Sequence, residues 1–220
     1  MSTGRDIRQD ILEVATSMFA KRGFDGTSLQ EIADEVDVTK ASLLYHYSSK
    51  GELREEVLEA VFSHWNAVLP QILQAATSGD RRFEALIEAV VSFFREDADR
   101  ARLIVRETMD RPDEMRLLLN EYLSPWMAIL TDYIEKGQDE GLIYPSLTPD
   151  AYIVNVIQML VGGIATSGVF GTLLRADEES DADPTAVQIR EMIRLARESL
   201  FIDGTPGAGE PEEPADESHE

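Results

Sequence analysis

Cysteine is absent from this chain of 220 residues, which excludes a disulfide, a thiolate nucleophile and any zinc site built on thiolates. Histidine is scarce, with three in the whole sequence. His46 has no cysteine partner and no second histidine at helical ligand spacing, so no metal is expected. Neither a nucleophile–base pair nor a glycine-rich phosphate loop stands out, and the sequence points to neither an enzyme nor a cofactor. The N-terminus lacks a basic-then-apolar leader, which places the expected location in the cytoplasm. Lysine is confined to Lys21, Lys40, Lys50 and Lys136, and the formal charge is −22. The hydrophobic content of 43% is that of a soluble globular protein, and the length suffices for one large or two small cores.

The densest information lies in residues 28–50, SLQEIADEVDVTKASLLYHYSSK. Thr27 or Ser28 stands where a helix N-cap belongs, with Gln30 or Glu31 three positions on to close a capping box. Leu29, Ile32, Ala33 and Val36 then recur at three-to-four spacing and form one inward stripe. Asp37 and Val38 make a turn, Thr39 caps a second helix, and Ala41, Leu43 and Leu44 begin it. Lys40, Ser42, Tyr45 and His46 are left as polar positions near its N-terminal half, where a recognition helix meets base edges and phosphates. Ser49 and Glu52 form a second capping box. Lys50 lies in the first turn of the helix they open, where exposed N–H groups already favour a phosphate. This pattern predicts a helix-turn-helix that enters the major groove of double-stranded DNA.

The stretch from Ile11 to Leu53 resembles the N-terminal domain of the tetracycline-repressor (TetR/AcrR) family of one-component regulators. The marks that carry the resemblance are an apolar helix, Phe-Ala-x-x-Gly, Thr-Ser, Ile-Ala, Val-Thr, Leu-Tyr-x-Tyr and Ser-Lys, in that order. The resemblance implies an all-α homodimer, with an N-terminal three-helix helix-turn-helix domain and a C-terminal helical ligand-binding and dimerisation domain. It implies a repressor that binds a palindromic operator and is released by a small-molecule effector. By position, Thr27, Ser28, Lys40, Ala41, Ser42, Tyr45, His46 and Lys50 match DNA-contact positions of the family, whereas Tyr47 takes a core position. Two departures stand out. Asp37 replaces the usual turn glycine, which requires Asp in a left-handed conformation, and Leu44 replaces a frequent aromatic. In the C-terminal half, RLIVRETMDRP and EKGQDEGLIYPSLTPDA are similar to the betaine-regulator-like branch. A TetR-like adaptor without effector-controlled DNA binding is the alternative reading.

Affinity for DNA comes largely from cations that release phosphate counterions, so the acidity of the chain needs a place. Residues 1–50 are close to balanced, whereas ADEESDAD at 176–183 and everything after Ile202 carry acids without Lys or Arg. These acids read as solvated loop and tail, and a local basic patch can still bind. The expected organisation is a DNA-binding domain over 1–50, an effector-binding and dimerisation domain over 51–202, and a disordered acidic tail over 203–220.

Helices are expected from about Asp6 to Arg22, from Lys50 to about Ala76 with a kink or end at Pro70, from Arg81 to Asp97 and from Asp99 to Met109. A long helix from Asp113 to Gly141 should break at Pro125. Thr148-Pro149 should cap and open another, and a last helix should span Pro184 to Phe201. Aromatic and methionine residues on the middle helices suggest an effector pocket for an apolar or cationic ligand: Trp65, Phe93, Phe94, Met109, Tyr122, Trp126, Met127, Tyr133 and Met159. Arg106, Glu107 and Asn155 are candidate polar groups there.

The uncharged run from Ala151 to Leu174 is long enough to span a bilayer. Asn155, Gln158, Thr166, Ser167 and Thr172 interrupt it, and no basic cluster flanks one side, so no membrane role is expected. It reads instead as a helix buried on nearly every side. Gly162, Gly163, Ser167, Gly168 and Gly171 would let a backbone approach, and Ile189, Ile193 and Ala196 supply a second stripe. Together they predict a four-helix interface between two copies of the chain.

Overall fold

The computed structural model describes residues 6–75, 79–174 and 183–202. All but Asp183 of the acidic run at 176–183, and the whole of 203–220, lie outside the described residues, so the expected tail is not addressed. Among the described residues ten α-helices follow one another: α1 (Ile7–Arg22), α2 (Leu29–Val36), α3 (Lys40–His46), α4 (Lys50–Ala75), α5 (Gly79–Glu96), α6 (Ala98–Asp110), α7 (Pro112–Tyr122), α8 (Ser124–Asp139), α9 (Pro149–Phe170) and α10 (Pro184–Leu200). Among the described residues the only β-pairing is one antiparallel bridge between Ile143 and Phe201, which pins the end of α10 to the α8–α9 connection. The fold is all-α.

Helix ends follow local chemistry. Asp6 caps α1 by accepting the N–H groups of Arg8 and Gln9, and Asp97 caps α6 through Asp99 N–H. Pro112 and Pro149 each sit at the first position of their helix, where a missing N–H costs nothing. Thr148 opens α9 without a side-chain cap bond, so the expected cap is absent although the boundary is correct. The long helix expected from Asp113 divides at Leu123, which leaves Pro125 inside the first turn of α8.

Pro70 does not end α4. The helix runs through it to Ala75, because the flanking stripe is held by burial: Val57, Leu58, Val61, Phe62 and Leu69 are all at most 7% exposed. A missing backbone hydrogen bond costs on the order of 3 kcal/mol, whereas one buried Leu or Phe side chain contributes about 1.5–3 kcal/mol, so five of them outweigh it.

Helix α1 packs on α2, α4 and α6 and so joins the small N-terminal trio to the larger bundle. Within that bundle α9 is central, lying against α5, α6, α8 and α10. Its length and the mean hydropathy of 1.7 over its most apolar 18 residues would suit a membrane span. Here Ile153, Leu160, Val161 and Ile164 are buried in the helical core, whereas Val154, Val169 and Phe170 are exposed, so α9 buries one face against its neighbours and is not enclosed on nearly every side as expected.

Candidate nucleic-acid interface and effector cavity

The turn between α2 and α3 is built by a few residues. Ser28 accepts Glu31 N–H at 3.2 Å while Glu31 accepts Ser28 N–H at 2.9 Å, a complete capping box. The cap hydrogen bonds hold the Glu31 carboxyl below the usual carboxylate range. At the other end Asp37 adopts φ 60°, ψ 47°, and Val38 N–H reaches back to Ala33 C=O at 2.9 Å. This satisfies carbonyls that the end of α2 would otherwise leave bare. Thr39 then accepts Ser42 N–H at 3.1 Å.

Helix α3 hangs on Leu43, which is fully buried, and on Tyr47 at its C-cap, 1% exposed. The Tyr47 hydroxyl accepts Arg8 Nε at 3.3 Å. With that face inward, Lys40, Ala41 and Tyr45 turn outward and Ser42 and His46 lie half-buried. Tyr45 is 87% exposed, with its ring edge-on to His46 at 5.4 Å. Lys40 makes no ion pair among the described residues.

Two of the expected DNA-contact side chains have other work. Thr27 is 2% exposed, and its hydroxyl donates within the α1–α2 connection, to Gly23 C=O at 2.9 Å and Met18 C=O at 3.3 Å. It is a core hydroxyl and does not present itself to solvent. Lys50 Nζ donates to Phe24 C=O at 2.8 Å and Thr27 C=O at 2.9 Å and lies 4.2 Å from the centre of the Phe24 ring. An ammonium has three donors, so Lys50 is first a strut under the loop before α2, with one N–H left over. Lys40 and Lys50 nonetheless line the same surface cleft, together with Ser28 and the acidic Asp25 and Glu31. The second box is half formed: Ser49 caps Glu52 N–H at 3.0 Å, but the Glu52 carboxylate reaches Ser48 N–H at 2.7 Å rather than the cap residue.

A cavity of about 190 Å³ lies in the larger bundle. Trp65, Phe94, Trp126 and Tyr133 line it as expected, joined by Phe62, Phe83 and Tyr152. Much of its remaining wall is aliphatic, from Leu86, Ile87 and Val90 on α5 and Ile153, Val156 and Ile157 on α9. Several expected pocket residues are elsewhere. Met109 is 78% exposed and Asn155 faces solvent. Phe93 stacks on His64 at 4.2 Å, outside the wall, and Tyr122 stacks behind Phe62 at 6.0 Å. Met127 and Met159 pack against the core without lining the cavity. Helical spacing could not separate these from true lining residues, because an aromatic facing a neighbouring helix and one facing a void carry the same period. The aliphatic wall was missed for that reason too.

Comparison with known proteins decides the family. Residues 11–57 match the model of bacterial regulatory proteins of the tetR family, and residues 80–194 match the tetracyclin repressor-like C-terminal domain. The chain belongs to the TetR family. It is a TetR-family transcriptional regulator, with an N-terminal helix-turn-helix and a helical C-terminal domain. Relatives include the HTH-type transcriptional repressor DhaR of Mycobacterium sp. strain GP1, 25% identical over 81% of this chain and 86% of DhaR. Another is IcaR of Staphylococcus aureus, the negative regulator of the biofilm operon icaADBC, 26% identical over 62% of this chain and 72% of IcaR. Among solved structures, the ketosteroid regulator KstR2 of Mycobacterium tuberculosis superposes with a TM-score of 0.70 at 18% identity, covering 92% of this chain and 98% of KstR2. The fatty acid degradation regulator FadR of Bacillus halodurans gives 0.63 at 14% identity, covering 89% and 96%.

In this TetR-family chain α4 and α6 are tied by charges whose pairing helical spacing alone does not give. Arg54 is 6% exposed and Glu107 is fully buried. Arg54 Nε and Nη2 donate to Glu107 Oε2 at 2.8 and 2.5 Å, and Nη1 donates to Glu114 at 2.5 Å. The second Glu107 oxygen has Arg111 3.9 Å away and no hydrogen-bond partner among the described residues. Burial opposes the charge on Arg54, but the two carboxylates outweigh it and raise the Arg54 pKa. Arg106 likewise serves the junction rather than the cavity: it donates to Ala20 C=O at 3.1 Å and Lys21 C=O at 3.4 Å, closing the C-terminal end of α1. A guanidinium suits the negative end of a helix dipole. Glu107 and Arg106 are thus junction groups. A signal for Arg54 did exist, since it stands on the stripe with Val57, Leu58 and Val61, where a charge without a buried partner would be intolerable.

The proposed interface residues also divide. A Cβ at Gly163 would collide with Met192 of the same chain. Ser167 is buried and donates to Ile164 C=O at 2.9 Å, and Ile189 and Ala196 are buried at 4% and 1%. Gly163 and Ala196 thus join α9 to α10 within one chain, Ala196 through its carbonyl, which accepts the Tyr152 hydroxyl, and Ser167 and Ile189 are not on an outer face. Ile193 is half-buried, and Gly171 lies beside Pro184. Gly162 and Gly168 are open, and a Cβ added at either would meet nothing within 4 Å. Outward-facing apolar side chains near them are Val169, Phe170, Leu173 and Leu195, each at least 47% exposed.

Proposed function

We propose that this regulator is a cytoplasmic homodimeric repressor, whose two helix-turn-helix units bind a palindromic operator and are released when a small molecule enters the cavity. In this reading residues 1–50 form the DNA-binding domain and 51–202 the effector-binding and dimerisation domain. Lys40, Ala41, Ser42, Tyr45 and His46 face the groove, and Ser28 and the remaining Lys50 N–H meet phosphates.

One observation carries the reading. Helix α4 is one continuous helix that begins at Lys50 under the reading motif and carries Trp65 in the cavity wall. Recognition helices must sit about 34 Å apart to enter successive major grooves, so a ligand that prefers another α4 tilt would change operator affinity. Dimerisation is supported by the exposed apolar side chains at the end of α9, Val169 and Phe170 with Leu173 just beyond, and by the exposed Leu195 on α10. A partner chain across α9 and α10 would cover both.

Selection of bound fragments from the source genome followed by sequencing tests the DNA reading, and it fails if no palindromic site emerges. Light scattering tests the assembly. The parent should be dimeric at micromolar concentration and Phe170→Glu largely monomeric with unchanged helicity. A dimer unaffected by Phe170→Glu places the interface elsewhere.

A further inference from the structure

The cavity wall is unusual in what it offers a ligand. Of its lining side chains among the described residues, none is charged, and polar atoms come only from Trp65, Trp126, Tyr133 and Tyr152. Among these, Trp126 Nε1 donates to Asn66 Oδ1 at 3.0 Å, and the Tyr152 hydroxyl donates to Ala196 C=O at 2.7 Å. Burial also pushes the Tyr152 hydroxyl far above the ordinary phenol range, so it stays a neutral group. Charged side chains of the bundle that could have faced inward are directed elsewhere, Arg54 to Glu107 and Arg197 to Glu84.

We infer that the cavity selects an uncharged, lipophilic effector, one without a carboxylate, phosphate or ammonium group inside the wall; this rests on the reading of the cavity as the effector site. An ion loses its hydration on entry and finds no counter-charge to replace it. Seven aromatic rings line the space, and a ring face attracts a cation, but that attraction offsets only part of the ion's desolvation cost. An anion is disfavoured twice, since the chain as a whole carries −22 and repels it on approach. Size also bounds the ligand. A dry cavity of roughly 150 Å³ takes a benzene ring, so the space here, about 190 Å³, fits a somewhat larger molecule.

The test compares three probes of equal chain length, sized to the cavity, at neutral pH: hexanol, hexanoate and hexylammonium. The only two tryptophans of the chain, Trp65 and Trp126, both line the cavity, so intrinsic fluorescence reports on this site. Hexanol should bind and change the tryptophan emission, and both ions should bind at least about a hundredfold more weakly. Val156→Phe, which fills the space with another apolar group, should abolish hexanol binding while the thermal transition persists, so that loss of binding is not loss of fold. Hexanoate or hexylammonium binding as tightly as hexanol overturns the inference. So does failure of hexanol to bind, or its equal binding to Val156→Phe. A separate outcome concerns the regulator: if hexanol binds as expected and operator affinity is unchanged, the ligand class stands and effector-controlled repression falls.

Discussion

Breaking the Arg54–Glu107 pair gives the sharpest test of how the DNA-reading helices are joined to the ligand-binding bundle. The Arg54→Met variant keeps most of the volume on α4 but leaves the Glu107 carboxylate at 0% exposure, with only Arg111 at 3.9 Å to answer it. Removing one partner of a buried pair costs about 3–5 kcal/mol, because the other charge stays behind without solvent. At about 2–4 °C per kcal/mol for a chain of this size, the unfolding midpoint should fall by roughly 6–20 °C. Glu107→Leu should behave similarly, since it strands Arg54, although Glu114 at 2.5 Å softens the loss. The double variant Arg54→Met/Glu107→Leu removes both charges at once. A buried pair is often worth little against an apolar pair of like volume, so the double variant should recover at least half of the loss. Thermal and urea unfolding followed by circular dichroism supply the full double-mutant cycle. The double variant should also weaken the response of operator affinity to ligand, since the directional contact between α4 and α6 is gone. A midpoint for Arg54→Met within about 2 °C of the parent, or a double variant as unstable as the sum of the singles, would refute the reasoning.

Three further outcomes are expected. Lys40→Ala should alter base preference at one operator position by about 1–3 kcal/mol, whereas Lys50→Ala should weaken binding to all sequences alike and also lower the unfolding midpoint, because it releases the Phe24 and Thr27 carbonyls; binding and stability are measured on the same preparations, and an unchanged midpoint removes the strut role. At Asp37, with φ 60°, replacement by glycine should leave stability unchanged or raise it, while Asp37→Val should cost about 1–2 kcal/mol in urea unfolding; an equal effect of both would mean that the left-handed turn is not maintained. His64 is held below the usual imidazole range by burial and then by Arg100, so its neutral form is favoured on folding. Its contribution is complete above the unfolded value of about 6.5 and declines as pH falls through that value towards the lower folded one. Since its ring lies edge-on to Trp65 at 5.3 Å, the tryptophan emission should titrate below about pH 6.5, and His64→Gln should abolish that step.

The sequence by itself determined whatever depends on neighbours along the chain. Ser28 with Glu31, Thr39 with Ser42, and the short stripe Ile32, Ala33, Val36 are local arrangements. Their geometry follows from hydrogen-bond reach and helical period, so the reading motif was legible residue by residue, including Asp37 in its left-handed turn. Tyr47 as a core residue and Tyr45 as an exposed one were legible for the same reason. What only the tertiary structure decided is where a helix face points when two apolar destinations compete. Phe93 and Phe94 are adjacent, yet one stacks on His64 and the other lines the cavity. Gly163 and Gly162 are adjacent, yet one meets Met192 of its own chain and the other is open. Lys50 looked available to DNA because its acceptors, the Phe24 and Thr27 carbonyls, come from a separate stretch of chain, and Thr27 because only the packed loop shows its hydroxyl turned inward onto Gly23 and Met18. Arg54 could only be understood once Glu107, more than fifty residues away, was brought beside it. A period of 3.6 residues reports that a face is apolar or polar; which surface it meets is set by how ten helices share one interior, and that choice is made by packing and charge pairing across the whole fold.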